Sequence, residues 1–84
     1  MEKTREWAIT PSREEGAYIR FLLMSRGVSC AAISRHLGIS RAAVTRTLFG
    51  RCHAARVESC IAQVCGYPSW NAMMNAIRQE VRYA

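Results

Sequence analysis

Arginine dominates the middle of this chain in a way that indicates binding chemistry. Between Gly16 and Val57 there is no acidic residue, yet seven arginines occur. A guanidinium group is always charged and can bond bidentately to a phosphate or to the edge of a guanine. The 84-residue chain has a formal net charge of +6, so the expected partner is a polyanion, either a nucleic acid or an anionic membrane surface. The seven arginines are Arg20, Arg26, Arg35, Arg41, Arg46, Arg51 and Arg56.

The cysteines and histidines are the other candidates for chemistry. Four cysteines and two histidines occur, but no pair has the C-x-x-C or H-x₃₋₅-H spacing of a zinc site. Cys52 and His53 are adjacent, and neighbouring residues on a helix do not face each other. We therefore expect no catalytic residue, no metal and no other cofactor. Cys60 and Cys65 are expected to pack as small apolar side chains.

The sequence contains no pattern typical of export or membrane insertion. The first ten residues include two glutamates and no apolar core of a signal peptide. No apolar run approaches the roughly 20 residues that span a bilayer. We therefore expect a cytoplasmic, nucleoid-associated protein with reduced thiols and no membrane partner.

Residues 29–50 have the pattern of two short helices joined by a tight turn. Ser29 and Ser40 occupy positions where helix N-caps are favoured, and the apolar spacing predicts helices over about 30–37 and 41–49. Gly38 predicts the turn between them, because a positive φ is cheap only without a Cβ. This pattern is typical of a helix-turn-helix, whose second helix enters the major groove of DNA.

Three further helices are expected around this motif. The first follows Ser12, which can form a capping box with Glu15, and Gly27 is expected to end it. A fourth helix is predicted over about 54–65 and a fifth after Ser69. The predicted fold class is all-α, a compact bundle of about five helices, with a flexible arm over residues 1–10 and one domain over 11–84.

Two of these outer helices have a predicted apolar face. On the first helix, the apolar face is expected to include Tyr18, Phe21 and Leu22. The fifth helix has an apolar stripe that either completes the core or binds a partner. The stripe consists of Trp70, Met73, Met74, Ile77 and Val81.

The helix over 41–49 presents candidate base-reading residues. If Val44 and Leu48 face the core, four other side chains point outward. An arginine there could bond guanine bidentately, and an alanine could touch a thymine methyl; the alternative is that they are simply solvated. The four are Arg41, Ala42, Thr45 and Arg46.

Six further residues are candidates for DNA phosphate contacts. Some flank helix N-termini, whose free N–H groups bind phosphate well. The alternatives are plain capping by the serines and an ion pair of Arg56 within its own helix. The six are Ser29, Arg35, Ser40, Arg51, His53 and Arg56.

The motif resembles a known family of DNA-binding proteins. The residues that carry the resemblance are Val28-Ser29, Ile33-Ser34-Arg35, Leu37-Gly38-Ile39-Ser40, Val44-Thr45-Arg46, Leu48 and Gly50, with Arg56-Val57-Glu58, Ile61-Ala62 and 66–70 after them. Over about half of the chain the sequence is similar to the lambda-repressor-like helix-turn-helix superfamily, and most similar to the Ner-like regulators of transposable phages. The resemblance implies that the start and middle of helix 41–49 read bases, and that the protein is a phage or prophage repressor.

The sequence is compatible with three functions. The first is a sequence-specific transcriptional regulator that binds double-stranded DNA. The second is the DNA-recognition domain of a transposase or recombinase, although the chain has no aspartate and its six glutamates cannot form a clustered two-metal site. The third is a protein-interaction module that uses the C-terminal helix. A homodimer, or two copies that pair only on an operator, are both compatible with the sequence.

Overall fold

A computed structural model of the chain describes residues 8–83 and contains five helices. They are α1 (Arg13–Ser25), α2 (Cys30–Leu37), α3 (Arg41–Leu48), α4 (Ala55–Val64) and α5 (Trp70–Tyr83). No strand occurs within residues 8–83. The predicted all-α bundle of five helices is therefore confirmed, and the helix bounds differ from the predicted ones by about one residue.

Local capping explains where α1, α2 and α3 begin. The Ser12 hydroxyl accepts a bond from the backbone N–H of Glu15 (3.1 Å), and the Glu15 carboxylate accepts one from the backbone N–H of Ser12 (2.9 Å). Ser29 and Ser40 cap α2 and α3 in the same way. Between these two helices Gly38 has a φ of +71°, which a residue with a Cβ adopts only with strain.

The core lies where α2, α3 and α4 meet, and α1 and α5 enclose it. α2 packs on α3 and α4, α3 packs on α1 and α4, and α5 packs on α4. Burial of these apolar side chains is the main stabilising contribution. The core consists of Ile19, Leu23, Ile33, Val44, Leu48, Val57, Ile61, Ala62, Cys65, Trp70, Met73, Met74 and Ile77.

The predicted apolar face of α1 is wrong in part. The structure buries Gly16, Ile19 and Leu23, while the Phe21 side chain is 63% exposed. Both sets repeat at helical spacing, so periodicity alone does not choose between them. Tertiary packing decides, because α1 approaches α3 through Gly16, where a Cβ would lie 2.7 Å from the carbonyl oxygen of Leu48.

The apolar stripe of α5 completes the core. Trp70 is 5% exposed, and Met73, Met74 and Ile77 are 0% exposed; we call these four residues the α5 stripe. The Val81 side chain lies outside the described residues. The α5 stripe is therefore covered within one chain.

The segment before α1 is attached to α5. The predicted flexible arm over 1–10 lies outside the described residues for positions 1–7. The backbone N–H of Ile9 donates to the side chain of Asn71 (2.8 Å), and the Trp70 indole donates to the carbonyl of Ile9 (2.8 Å). Arg78 donates to the carbonyl of Thr10 (3.1 Å). Residues 8–10 therefore belong to the folded body.

None of the helices in the described part of the chain combines the length and the apolar character needed to cross a membrane.

Candidate nucleic-acid interface

The roll of α3 about its axis determines which side chains it offers. Val44 and Leu48 are fully buried, and Thr47 is 1% exposed. All four side chains that were predicted to point outward are exposed. They are Arg41, Ala42, Thr45 and Arg46, and their contact with DNA stays a prediction.

Two threonines on α3 differ in role because of this roll. The buried Thr47 hydroxyl donates to the carbonyl of Ala43 (3.1 Å) and lies 3.4 Å from the sulfur of Cys52, so a polar residue is accommodated in the core. The exposed Thr45 hydroxyl donates to the carbonyl of Arg41 (3.1 Å). Its oxygen can still accept a bond from a ligand, since a hydroxyl has two lone pairs.

A basic trough runs between α1 and α3. One half, with a volume of about 370 Å³, is lined by Arg20, Ser29 and Arg41 among others. The other half, of about 610 Å³, is lined by Arg13, Arg46 and Arg51. Thr45 and Phe49 line both halves, so the two cavities adjoin along one surface. We call it the arginine trough, defined by Arg13, Arg20, Arg41, Arg46 and Arg51 around Thr45 and Phe49.

The close approach of α1 to α3 sets the walls of this trough. Gly16 lies against Leu48 and Phe49 at the end of α3, so α1 and α3 are in direct contact there. Arg13 lines the same half of the trough as Arg46 and Arg51, and Arg20 lines the same half as Arg41. The five arginines thus come from both walls.

No carboxylate neutralises the trough within the described part of the chain. The Glu15 carboxylate accepts two bonds from Arg78 (2.9 and 3.2 Å), and that bonding lowers the pKa of Glu15 below its ordinary value of 4.5. Glu58 is bound to His53 (2.7 Å), and Tyr18 donates to Glu80 (3.0 Å). Because neither these three glutamates nor Glu14 lines the trough, its positive potential is not cancelled locally.

The N-cap serines of α2 and α3 remain open to a ligand. Each serine oxygen accepts one backbone bond of 3.1 Å, Ser29 from Ala32 and Ser40 from Ala43. The hydroxyl hydrogen of each is free to donate to an anion. Ser29 lies in the trough, and Ser40 directly precedes Arg41 at the start of α3.

His53, predicted as a phosphate contact, is engaged within the protein. Its Nδ1 lies 2.7 Å from Oε2 of Glu58, and its Nε2 lies 2.9 Å from Oγ1 of Thr10. Both ring nitrogens therefore have partners within the protein, while the His53 side chain stays 41% exposed, and its contact with phosphate stays a prediction. This chain of bonds links the segment before α1 to the start of α4 and holds the loop that carries Arg51.

The remaining two phosphate candidates lie outside the trough. Arg56 donates to the carbonyl of Leu37 (3.2 Å) and so satisfies an otherwise unpaired group at the end of α2. The alternative, an ion pair of Arg56 within α4, is not formed among the described residues. Arg35 is exposed on α2 and has no side-chain partner among the described residues.

The contribution of α1 to this surface was not predicted from the sequence. Arg13 and Arg20 are seven residues apart, which places both on one face of a helix. That signal was present in the sequence. Nothing in the sequence indicated, however, that this face would stand opposite α3.

Only one of the four cysteines, Cys65, is buried, and Cys30 lines the first half of the trough. All four are free thiols, and burial raises the pKa of the Cys65 thiol, which makes it inert. Among the described residues, no three His, Cys or Glu side chains come together in a group that could hold a metal ion.

Comparison with known proteins adds nothing to this geometry. No family model matches the chain, and no match was found to a curated protein or to a solved structure. The similarity to the lambda-repressor-like superfamily therefore stays a prediction, and functional reasoning rests on the site itself.

Proposed function

We propose that this protein is a sequence-specific transcriptional regulator that inserts α3 into the major groove of double-stranded DNA. One observation carries the proposal: the exposed face of α3 is bordered by arginines that have no carboxylate partner in the described part of the chain. A short helix with this face is well suited to the major groove, which is about 12 Å wide.

The residues divide into two roles under this proposal. Base edges are read by the outward face of α3, with Arg41 on a guanine and Ala42 on a thymine methyl. Ser29, Ser40 and Arg51 bind phosphates and fix the register of the protein on the duplex. Arg35, exposed on α2, is a further phosphate contact, whereas His53 and Arg56 already have hydrogen-bond partners within the fold.

The biological role extends the proposal beyond the geometry. A phage or prophage repressor, acting in the cytoplasm on the nucleoid, is what the resemblance to Ner-like regulators implies. Such a protein would occupy an operator and exclude the polymerase.

Salt dependence tests the nucleic-acid part of the proposal. About five arginine–phosphate contacts correspond to a log–log slope of about −4 to −5 for the association constant against salt. Fluorescence anisotropy with a labelled duplex, titrated at several salt concentrations, measures this slope. A slope near zero, or no binding at low salt, contradicts DNA binding.

Selection from a random DNA pool tests the sequence-specific part. An enriched motif provides the preferred duplex, and binding of two variants is then compared on this duplex and on a random one. Arg41→Ala should lose about 1–3 kcal/mol on the preferred duplex and relax the preference at one base pair. Arg51→Ala should weaken binding to both duplexes equally. Equal losses by both variants on both duplexes would contradict this division of roles.

A further inference from the structure

Two arginines of α1 have no structural role in the fold. Neither Arg13 nor Arg20 makes a side-chain hydrogen bond or ion pair within the described part of the chain. Arg13 is the first residue of α1, where a cation opposes the positive end of the helix dipole. Its charge therefore contributes nothing favourable to α1 itself.

The positions of Arg13 and Arg20 make their positive charges still less favourable for the folded protein. Arg20 lines the trough together with Arg41, and Arg13 lines it together with Arg46 and Arg51. Like charges gathered around one depression repel, and they concentrate a positive potential there. An anion in the trough would relieve this repulsion.

The dimensions fit an extended anion. Seven residues of α-helix separate Arg13 from Arg20 by about 10 Å along α1. That distance equals the axial rise of about three nucleotides of one strand of B-form DNA. Two exposed or half-buried residues, Thr45 and Phe49, floor the trough between the arginines.

We propose that the arginine trough holds the sugar-phosphate backbone of one DNA strand, with Arg13 and Arg20 neutralising phosphates that the helix-turn-helix does not reach. This inference rests on the proposed function, because it takes the duplex bound by α3 as the ligand. With α3 in the major groove, the strand that borders this groove enters the space between α3 and α1. The interface is then two-walled, and α1 adds affinity without reading sequence.

The test compares three substitutions that each remove one positive charge. Arg13→Gln and Arg20→Gln alter the trough, and Arg26→Gln is the matched control. Arg26 is the C-cap of α1 and is exposed, it does not line the trough, and its guanidinium lies beside Gly66 at the end of α4. Each variant is titrated with a selected duplex and with a random duplex at several salt concentrations.

Each trough variant is expected to bind both duplexes about 5- to 10-fold more weakly at low salt, with a salt slope smaller by about one unit. The control should change binding by less than about twofold. Arg20→Lys should restore the slope, because lysine keeps the charge. Circular dichroism at the titration temperature reports whether each variant is folded, and Arg13→Gln is expected to fold at least as well as the wild type.

Two outcomes separate failure of this inference from failure of the proposed function. If the wild type binds the duplexes but the trough variants behave like Arg26→Gln, α1 does not contact the strand and the inference is wrong. If the wild type binds neither duplex at low salt, both the proposed function and this inference are wrong. A loss confined to the selected duplex also overturns the inference, since phosphate contacts weaken all sequences alike.

Discussion

Gly16 lies where α1 crosses the end of α3, and a methyl group there would meet atoms that cannot all move away. A Cβ built at this position lies 2.6 Å from Cδ1 of Phe49 and 2.7 Å from the carbonyl oxygen of Leu48. The phenyl ring can rotate, but the carbonyl oxygen belongs to the backbone of α3. The Gly16→Ala variant therefore has to push the two helices apart.

Two opposing effects determine its stability. Replacing glycine with alanine inside an exposed helix stabilises it by about 1 kcal/mol, whereas overpacking a well-packed site costs about 1–3 kcal/mol. Because one of the two clashes is with backbone, we expect the upper part of that range. The net expectation is a loss of about 1–2 kcal/mol, and for a domain of this size each kcal/mol corresponds to a Tm change of about 4–8 °C.

Thermal unfolding followed by circular dichroism measures this loss. Ala17→Gly is the neighbouring control, since Ala17 is exposed on the same helix and its replacement should cost only the helix-propensity difference of about 1 kcal/mol. A Gly16→Ala variant that is more stable than the wild type by about 1 kcal/mol would refute the close approach of α1 to α3. Below its Tm, the same variant should bind DNA more weakly than Ala17→Gly does, because the walls of the trough are displaced.

Three further predictions concern the ion pairs and the oligomeric state. The bonds from Arg78 lower the pKa of Glu15 below 4.5, so their contribution to stability, up to about 1 kcal/mol, is present above pH 4.5 and is lost as the pH falls through the folded pKa. In urea unfolding from pH 6 to 3, the free energy of unfolding should therefore fall more for the wild type than for Glu15→Gln. Parallel curves for the two proteins would contradict this. His53→Ala leaves the buried Glu58 carboxylate without its partner and should lower the free energy of unfolding by about 1–3 kcal/mol. Adding Glu58→Gln to this variant should recover part of the loss. If chemical denaturation shows no recovery, the pair does not stabilise the fold. Since the α5 stripe is buried within one chain, sedimentation of the free protein at tens of micromolar should give a monomer of 9.5 kDa, and a stable dimer would show that another surface associates.

The positions of the helices were largely predictable because their signals are local. A serine at an N-cap bonds to a backbone N–H three residues away, as Ser12, Ser29 and Ser40 do here. Gly38 supplies a positive φ on its own. These interactions lie within one helical turn, so neighbouring residues in the chain determine them. The outward face of α3 followed from the spacing of its buried residues, Val44 and Leu48, for the same reason.

Only the tertiary structure decided which of the possible faces each outer helix would use. The α1 sequence carries two overlapping apolar stripes, and the choice depended on Gly16 meeting the end of α3 about 32 residues later. His53 was a free candidate by sequence until Thr10, 43 residues away, took its second nitrogen. Arg13 and Arg20 became part of a binding surface only when α1 was placed opposite α3. Contacts between segments far apart in the chain depend on how whole helices pack, and no spacing pattern within a single helix contains that information.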